Sequence, residues 1–381
     1  MKTYITIILL FLCTTNLFAA EFESDGLRYK ILSEEDRTVG VSKCIEYGYQ
    51  GYFEIPKKVI NNSKTYTVIS IERKAFYNRS GLTAVSIPNS VTTIGASAFE
   101  GCSGLTSVSI PSFVTTIGAS AFEGCSGLTS VSIPSSVTTI GASAFYRCSS
   151  LEKIDVAENN TVYASIAGIL YSKSLNTILL CPEGKKGKIE IPSSVTTIGD
   201  YAFYCCIGLT SVSIPSSVTT IGDYAFYCCR GLTSVSIPSS VTTIGDYAFC
   251  YCNQLKSVYC KMETPIKCGT LFGVDALQYA VLYVPKGRKS EYEKVDPWRN
   301  FWNIEEMDYS SGINDIVVDN DFSVSVWDGI IYIDGIADHV KVDVYDVSGK
   351  NVYSGNGSSI EGLNHGVYIV GIGNITKKII L

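Results

Sequence analysis

The side chains best equipped for chemistry are unevenly supplied. The 381-residue chain has 14 cysteines and only two histidines, His339 and His365. Tetrahedral zinc sites and Cys–His nucleophile pairs need these residue types close together. Both histidines lie C-terminal to every cysteine, and each reads as a surface or turn residue. Six cysteines hold a regular place instead. Cys102, Cys125, Cys148, Cys206, Cys229 and Cys252 each follow a phenylalanine by three residues. Evenly spaced single cysteines do not make a metal site; they read as small apolar side chains on the phenylalanine face. Cys205 and Cys228 stand where earlier copies carry Gly101 and Gly124. In an oxidising compartment they are candidates for bridging, as are Cys250, Cys260 and Cys268.

Other reactive groupings are sparse. Asp200, Asp223 and Asp246 form a column, each after a glycine; they read as turn caps, with calcium binding as the alternative. No G-x-x-x-x-G-K-[ST] loop and no G-x-S-x-G elbow with a fitting histidine occurs. A net charge of −6 argues against nucleic acid, which selects basic surfaces. The expectation is a protein that is not an enzyme and uses no cofactor and no metal.

The elements that position these residues come from one repeated unit. Phe76, Phe99, Phe122 and Phe145 recur every 23 residues, as do Phe203, Phe226, Phe249 and Phe272. Leu105, Val108 and Ile110 give an L-x-x-V-x-I strand ended by Pro111, and Val91 and Ile94 mark a second extended stretch. Ala98, Phe99 and Cys102 predict a single helical or 3₁₀ turn, with Gly95 at a corner needing positive φ. One such unit cannot bury its apolar face alone, whereas stacked units can. The fold expected is a β-rich leucine-rich-repeat solenoid of 23-residue repeats with short parallel strands, followed by a small antiparallel β-sandwich.

The boundaries expected are a secretory signal peptide at 1–20, cap strands at 21–54, and the solenoid at 55–308. The solenoid carries an expanded unit at 151–192 and a C-terminal cap at 279–308. The sandwich occupies 309–381. Lys2, the apolar run 5–12 and Ala19–Ala20 have the layout of an export leader, and that run is too short to span a bilayer. No other segment reads as a transmembrane helix. After Met307 the composition shifts to alternating strands such as VKVDVYDVSGK and GVYIVGIG.

The frame SVTTIG-x-x-AF-x-x-C-x-x-L-x-x-V-x-IP, the longer middle unit and the closing LYVPKGRKSEYEKVDPWRNFWNIEEM resemble BspA-like, or Treponema pallidum-type, leucine-rich repeats over about residues 55–306. The resemblance implies that Tyr292, Trp298, Phe301 and Trp302 cap the last rung. It also implies binding to host extracellular proteins such as fibronectin, and bacterial co-aggregation. The C-terminal stretch resembles the type A sorting domain of the type IX secretion system. The matching residues include Tyr345, Asp346, Gly349, Lys350, Gly366, Tyr368, Lys377 and Lys378; His365 stands where that family carries proline. Membership implies handling by the type IX machinery and either attachment to the outer cell surface or release.

The contact residues expected are those on exposed ladders. Thr106, Thr129, Thr210 and Thr233 begin successive strands, and Ser/Thr-rich faces explain a charged fraction of only 17%, against about 25% in ordinary domains. Tyr201, Tyr224 and Tyr247, with Tyr204 and Tyr227, make an aromatic stripe; tyrosine is enriched at binding hot spots. The reading is an adhesin or protein-binding module for an extracellular or cell-surface protein ligand. The alternative is a spacer protein without a specific ligand.

Overall fold

A computed structural model describes residues 20–309 except Tyr47, and 323–380 except 328, 329, 335–339, 357, 358, 362, 364, 365, 373 and 374. The leader-like segment, save Ala20, and both histidines lie outside the described residues. The chain divides into two compact units, Met1–Leu282 with Ser290–Ile304, and Tyr283–Lys289 with Glu305–Leu381.

The first unit is a β-solenoid. It opens on an antiparallel meander, Glu21–Ser24, Leu27–Ser33 and Thr38–Cys44. Thr38–Cys44 then pairs in parallel with Lys64–Ile71, and the rung strands Thr93–Ile94, Thr116–Ile117 and Thr139–Ile140 follow in register. The opposite face stacks Gly51–Glu54, Leu82–Ser86, Ser107–Ser109, Ser130–Ile133 and Lys153–Val156, also in parallel. A second array repeats the plan with Thr197–Ile198, Thr220–Ile221 and Thr243–Ile244 on one face. Lys186–Glu190, Gly208–Ser213, Ser234–Ile237 and Ser257–Cys260 form the other.

Identical residues meet across rungs because the register is in phase. Phe76, Phe99, Phe122 and Phe145 stack with ring centroids 5.0, 5.3 and 5.5 Å apart. Phe203, Phe226, Phe249 and Phe272 stack at 4.8, 5.1 and 5.5 Å. Phe53 meets Phe76 edge-on, while Trp298 and Phe301 meet Phe272 edge-on. Tyr292, Trp298 and Phe301 are buried, but Trp302 is 75% exposed. It therefore does not cover the last rung: its backbone N–H bonds Leu277 O at 2.9 Å while the indole faces outward.

The segment around each phenylalanine is not the helical turn expected. In the Phe99 rung, Ser97, Phe99 and Gly101 donate their N–H groups to the next rung, to Ala119, Ala121 and Glu123 carbonyls. The intervening Ala98, Glu100 and Cys102 close turns onto Gly95, Ser97 and Phe99. This alternation sets Ser97 and Gly101 at φ of 56° and 75°, which a helix cannot accommodate. Gly95, in contrast, is not among the positive-φ residues. It is glycine because the preceding rung is too close: a Cβ there would lie 2.7 Å from Ile71 O, and one on Gly118 would lie 2.5 Å from Ala96 N.

Between the arrays, Tyr163–Ile166, Ile169–Ser172 and Thr177–Leu180 form an antiparallel meander, and Thr177–Leu180 resumes parallel pairing with Thr197–Ile198. Two residues stand in for missing rung positions. Cys181 N–H donates to Ala202 O at 2.6 Å, the bond a phenylalanine makes elsewhere, as from Phe203 to Ala225 O. Glu183 Oε1 accepts Arg147 N–H at 2.6 Å, where Gly124 uses the next rung's Tyr146 carbonyl. Buried Asn160 holds the meander start: its amide donates to Pro134 O and Val137 O, and its oxygen accepts from Val162 and Tyr163.

The second unit contains two antiparallel sheets. One orders Ser323–Trp327, Ile330–Asp334 and Ser359–Ile360. The other orders Asn351–Asn356, Lys341–Asp346, Val367–Ile372 and Ile375–Ile380. Strand alternation puts Ile331 and Ile333 from one sheet, and Val342, Val344, Val370 and Ile372 from the other, into a shared apolar core.

Candidate binding surface

The six ladder cysteines are buried, and burial pushes each thiol above its usual value, up to about 12 at Cys102 and Cys148. A protonated thiol is a donor. Cys102, Cys125, Cys148, Cys229 and Cys252 donate to the carbonyls of Phe76, Phe99, Phe122, Phe203 and Phe226 at 3.1–3.2 Å. Cys206 sits 3.6 Å from Cys181 O and Pro182 O. The ladder thus adds a second donor to phenylalanine carbonyls that already accept a turn N–H, as Phe99 O does from Cys102 N–H. Among the described residues, no group of three or more His, Cys, Asp or Glu side chains could hold a metal ion.

The tyrosines lie on the turn edge of the second array. Tyr201, Tyr224 and Tyr247 occupy the positive-φ column at 58°, 54° and 58°, where the first array has Ser97, Ser120 and Ser143. Their rings stack at 5.0 Å (Tyr201–Tyr224) and 5.1 Å (Tyr224–Tyr247). A second row, Tyr204 and Tyr227, stacks at 5.1 Å and tilts against the first at 5.7 and 5.4 Å. Tyr146 joins at 4.8 Å from Tyr204, and Tyr251 at 5.1 Å from Tyr227, edge-on. Tyr201, Tyr247 and Tyr251 expose 48, 40 and 55% of their surface. Within each row the rings cover one another's faces, which leaves ring edges of the exposed Tyr201 and Tyr247 to solvent. Burial, followed by a hydrogen bond with Tyr146, raises the Tyr204 phenol. Arg147 lies over the Tyr146 ring at 5.3 Å.

A row of carboxylates borders the tyrosines. Asp200 Oδ1 accepts Asp223 N–H at 2.9 Å and Asp223 Oδ1 accepts Asp246 N–H at 2.8 Å. Gly222 and Gly245 make this possible, since a Cβ at either would lie 2.4 or 2.3 Å from the accepting oxygen. The same rungs bind Tyr201 N–H to Asp223 O and Tyr224 N–H to Asp246 O at 2.9 Å. Hydroxyls, ring edges and acids spaced by the rung repeat suit non-covalent binding; nothing in the strip pairs a nucleophile with a base.

The threonine columns lie on the strand faces, apart from this edge. Thr106, Thr129 and Thr210 are exposed and Thr233 is half-buried. Thr106 Oγ1 donates to Thr83 O at 3.2 Å and Thr233 Oγ1 to Thr210 O at 3.3 Å, so these hydroxyls are occupied within the ladder. Tyr146 and Tyr251 join the strip without belonging to the contact residues expected from sequence. Tyr146 follows Phe145 as Tyr204 follows Phe203, and that column offset was the available signal. Tyr251 shares the Cys205 and Cys228 column, so only the folded turn shows that it joins the strip.

In the second unit, Asp346, Gly349 and Lys350 form one turn. Asp346 Oδ1 accepts Ser348 N–H at 2.8 Å, Ser348 O–H at 2.6 Å and Lys350 N–H at 3.1 Å, and the Ser348 hydroxyl is the main cause holding its carboxyl below the usual range. Gly349 takes φ 83°. Tyr345 pairs with Ile369 and Asp346 with Tyr368 across the strands, while Ile369 and Val370 pair with Lys378 and Lys377. A Cβ on Gly366 would lie 3.4 Å from the Tyr368 ring.

Short parallel strands on two faces, joined by in-phase turns, define a leucine-rich-repeat solenoid. Its sequence matches the BspA type leucine rich repeat region, in six copies, over residues 69–186 and 185–273. The chain belongs to this family. It is similar to the crystal structure of a leucine-rich repeat protein from Eubacterium ventriosum, with 24% identity, a TM-score of 0.50, and 69% of this chain and 77% of that one covered. Pneumococcal vaccine antigen PcpA matches at 20% identity and TM-score 0.46, covering 76% and 98%. The leucine-rich repeat protein of T. pallidum matches at 19% and 0.34, covering 62% and 91%. No match was found among curated proteins. No helix of the described residues is long and apolar enough to cross a membrane.

Proposed function

We propose that this is an exported, non-enzymatic binding protein of the bacterial surface or surroundings, whose solenoid engages an extracellular or cell-surface protein through the tyrosine strip. The observation that carries this is the placement of Tyr201, Tyr224 and Tyr247 at positive φ. Bulky side chains are disfavoured there, and the first array fills the same column with Lys74, Ser97, Ser120 and Ser143, none of them aromatic. A backbone cost accepted three times, to display aromatic edges, favours contact over spacing. Repetition supplies avidity from weak contacts.

The leader-like residues 1–20 and the sorting-like residues Tyr345, Asp346, Gly349, Lys350, Gly366, Tyr368, Lys377 and Lys378 support export through the type IX machinery. Two experiments test the reading. Removing two in-phase rungs of the second array is expected to weaken adhesion in steps; loss of all adhesion with one rung points to a single local site. Deleting 309–381 is expected to trap the chain inside the cell envelope, and unchanged surface display would reject the sorting role.

A further inference from the structure

We propose that Cys205 and Cys228 form an intramolecular disulfide that ties two neighbouring rungs together beneath the tyrosine strip; its occurrence in cells rests on the export reading above. The two cysteines occupy one column on consecutive rungs. Cys205 N–H bonds Tyr227 O at 2.8 Å, and Cys228 N–H bonds Cys250 O at 2.8 Å. That ladder sets equivalent backbones about 4.8 Å apart, inside the roughly 4.4–6.8 Å range of Cα separations that a disulfide spans. Both residues have positive φ, 54° and 62°, which directs their side chains the same way. The Cys205 thiol touches both the Cys228 thiol and the Tyr204 hydroxyl.

Access separates this pair from the other stacked cysteines. Cys205 is half-buried and Cys228 is 8% exposed. Cys102, Cys125 and Cys148 also follow one another at the rung repeat, but they are fully buried and donate to phenylalanine carbonyls. Cys181 and Cys206 touch one another with no exposed surface at all. Only a thiol that an oxidant can reach starts disulfide exchange.

The oxidant required is the disulfide of a thiol oxidant, whether a small molecule or a protein. The Cys205 thiolate attacks one oxidant sulfur, forming a mixed disulfide and releasing one reduced thiol. The Cys228 thiolate then attacks the Cys205 sulfur, forming the Cys205–Cys228 bond and releasing the second thiol. The protein loses two hydrogens, and the oxidant's disulfide becomes two thiols. Burial, then the adjoining Cys228, holds the Cys205 thiol above its ordinary value, so the first attack is slow at neutral pH and quickens as pH rises.

The test uses the full chain, purified reduced and equilibrated with oxidised glutathione, then alkylated and measured by intact mass and by combined tryptic and chymotryptic mapping. The expected result is a loss of two hydrogens, about 2 Da, with the fragments holding Cys205 and Cys228 joined. Cys205→Gly and Cys228→Gly reproduce the residues of the first array, so each should fold, and each should abolish the loss. The proposal is overturned if every wild-type thiol stays alkylatable, or if the loss persists in either variant. A bond that forms in glutathione but is missing from cell-derived chain supports the thiol chemistry and counts against export alone.

Discussion

Replacing Tyr224 by serine removes the ring at the centre of the strip while keeping the residue type that the first array uses at positive φ. Tyr224 contacts Tyr201 at 5.0 Å, Tyr247 at 5.1 Å and Tyr227 at 5.4 Å. Aromatic pairs contribute about 0.5–1.5 kcal/mol each, and the exposure of the strip places these near the lower end, so the loss is about 2 kcal/mol. Tyr201 has two such partners, Tyr204 and Tyr224, and its loss is about 1–1.5 kcal/mol by the same reckoning. Tyr247 stacks on Tyr224, giving about 0.5–1 kcal/mol. At about 2–4 °C per kcal/mol, thermal melting of the single variants should rank Tyr224→Ser lowest, then Tyr201→Ser, then Tyr247→Ser. Because each rung contacts only its neighbours, hydrogen exchange should quicken at the Tyr201 and Tyr224 amides and stay unchanged in the first array. Three equal shifts, or none, would refute a mutually stacked strip and leave tyrosines that merely decorate a turn.

Three further outcomes are expected. Phe113 is 62% exposed and takes the place where Ser90, Ser136, Ser217 and Ser240 donate to the preceding rung's carbonyl at 2.6–2.7 Å; Phe113→Ser should raise stability by about 0.5–1.5 kcal/mol, and a lower denaturation midpoint would contradict this. Cys125→Ala removes one of the two donors to the Phe99 carbonyl, which keeps the Cys102 N–H, and should cost about 0.5–1.5 kcal/mol in chemical denaturation; an unchanged midpoint would contradict a thiol hydrogen bond in a filled core. Burial pushes Glu183 up to about 7 from an ordinary 4.5. Its contribution is therefore whole below pH 4.5 and is lost as pH rises through 7. Glu183→Gln, which stays neutral, should melt like wild type at acidic pH and gain about 1 kcal/mol above pH 7, after allowing for solvent screening; a parallel pair of pH–melting curves would refute it.

The solenoid was legible because its period is exact in sequence terms: apolar Leu, Val, Ile and Phe return every 23 residues, and only stacking buries them all. What the period does not carry is backbone handedness. Gly95 looked like a positive-φ corner, yet the left-handed residues are Ser97 and Gly101, because alternating N–H groups must reach the next rung. Breaks in the repeat were also opaque. Cys181 and Glu183 stand in for missing rung positions through single hydrogen bonds, and nothing in their local sequence marks them. Trp302 resembled its buried neighbour Trp298 in composition, and only the chain direction after Phe301 turned it outward. Of the contact set, the tyrosine columns lie side by side, whereas the Thr106 and Thr233 hydroxyls donate along their own ladder.

The central claim is that the tyrosine strip binds a protein ligand. The measurement that tests it most directly is the dissociation constant of the full chain and of Tyr201→Ser/Tyr224→Ser/Tyr247→Ser for immobilised extracellular proteins, with fibronectin as the first probe. Hot-spot tyrosines contribute upwards of about 1 kcal/mol each, so the triple variant should bind at least about 150-fold more weakly, with its far-ultraviolet circular dichroism spectrum unchanged. Binding of equal strength by a folded triple variant, or no binding by wild type across the set of extracellular proteins, would contradict the account.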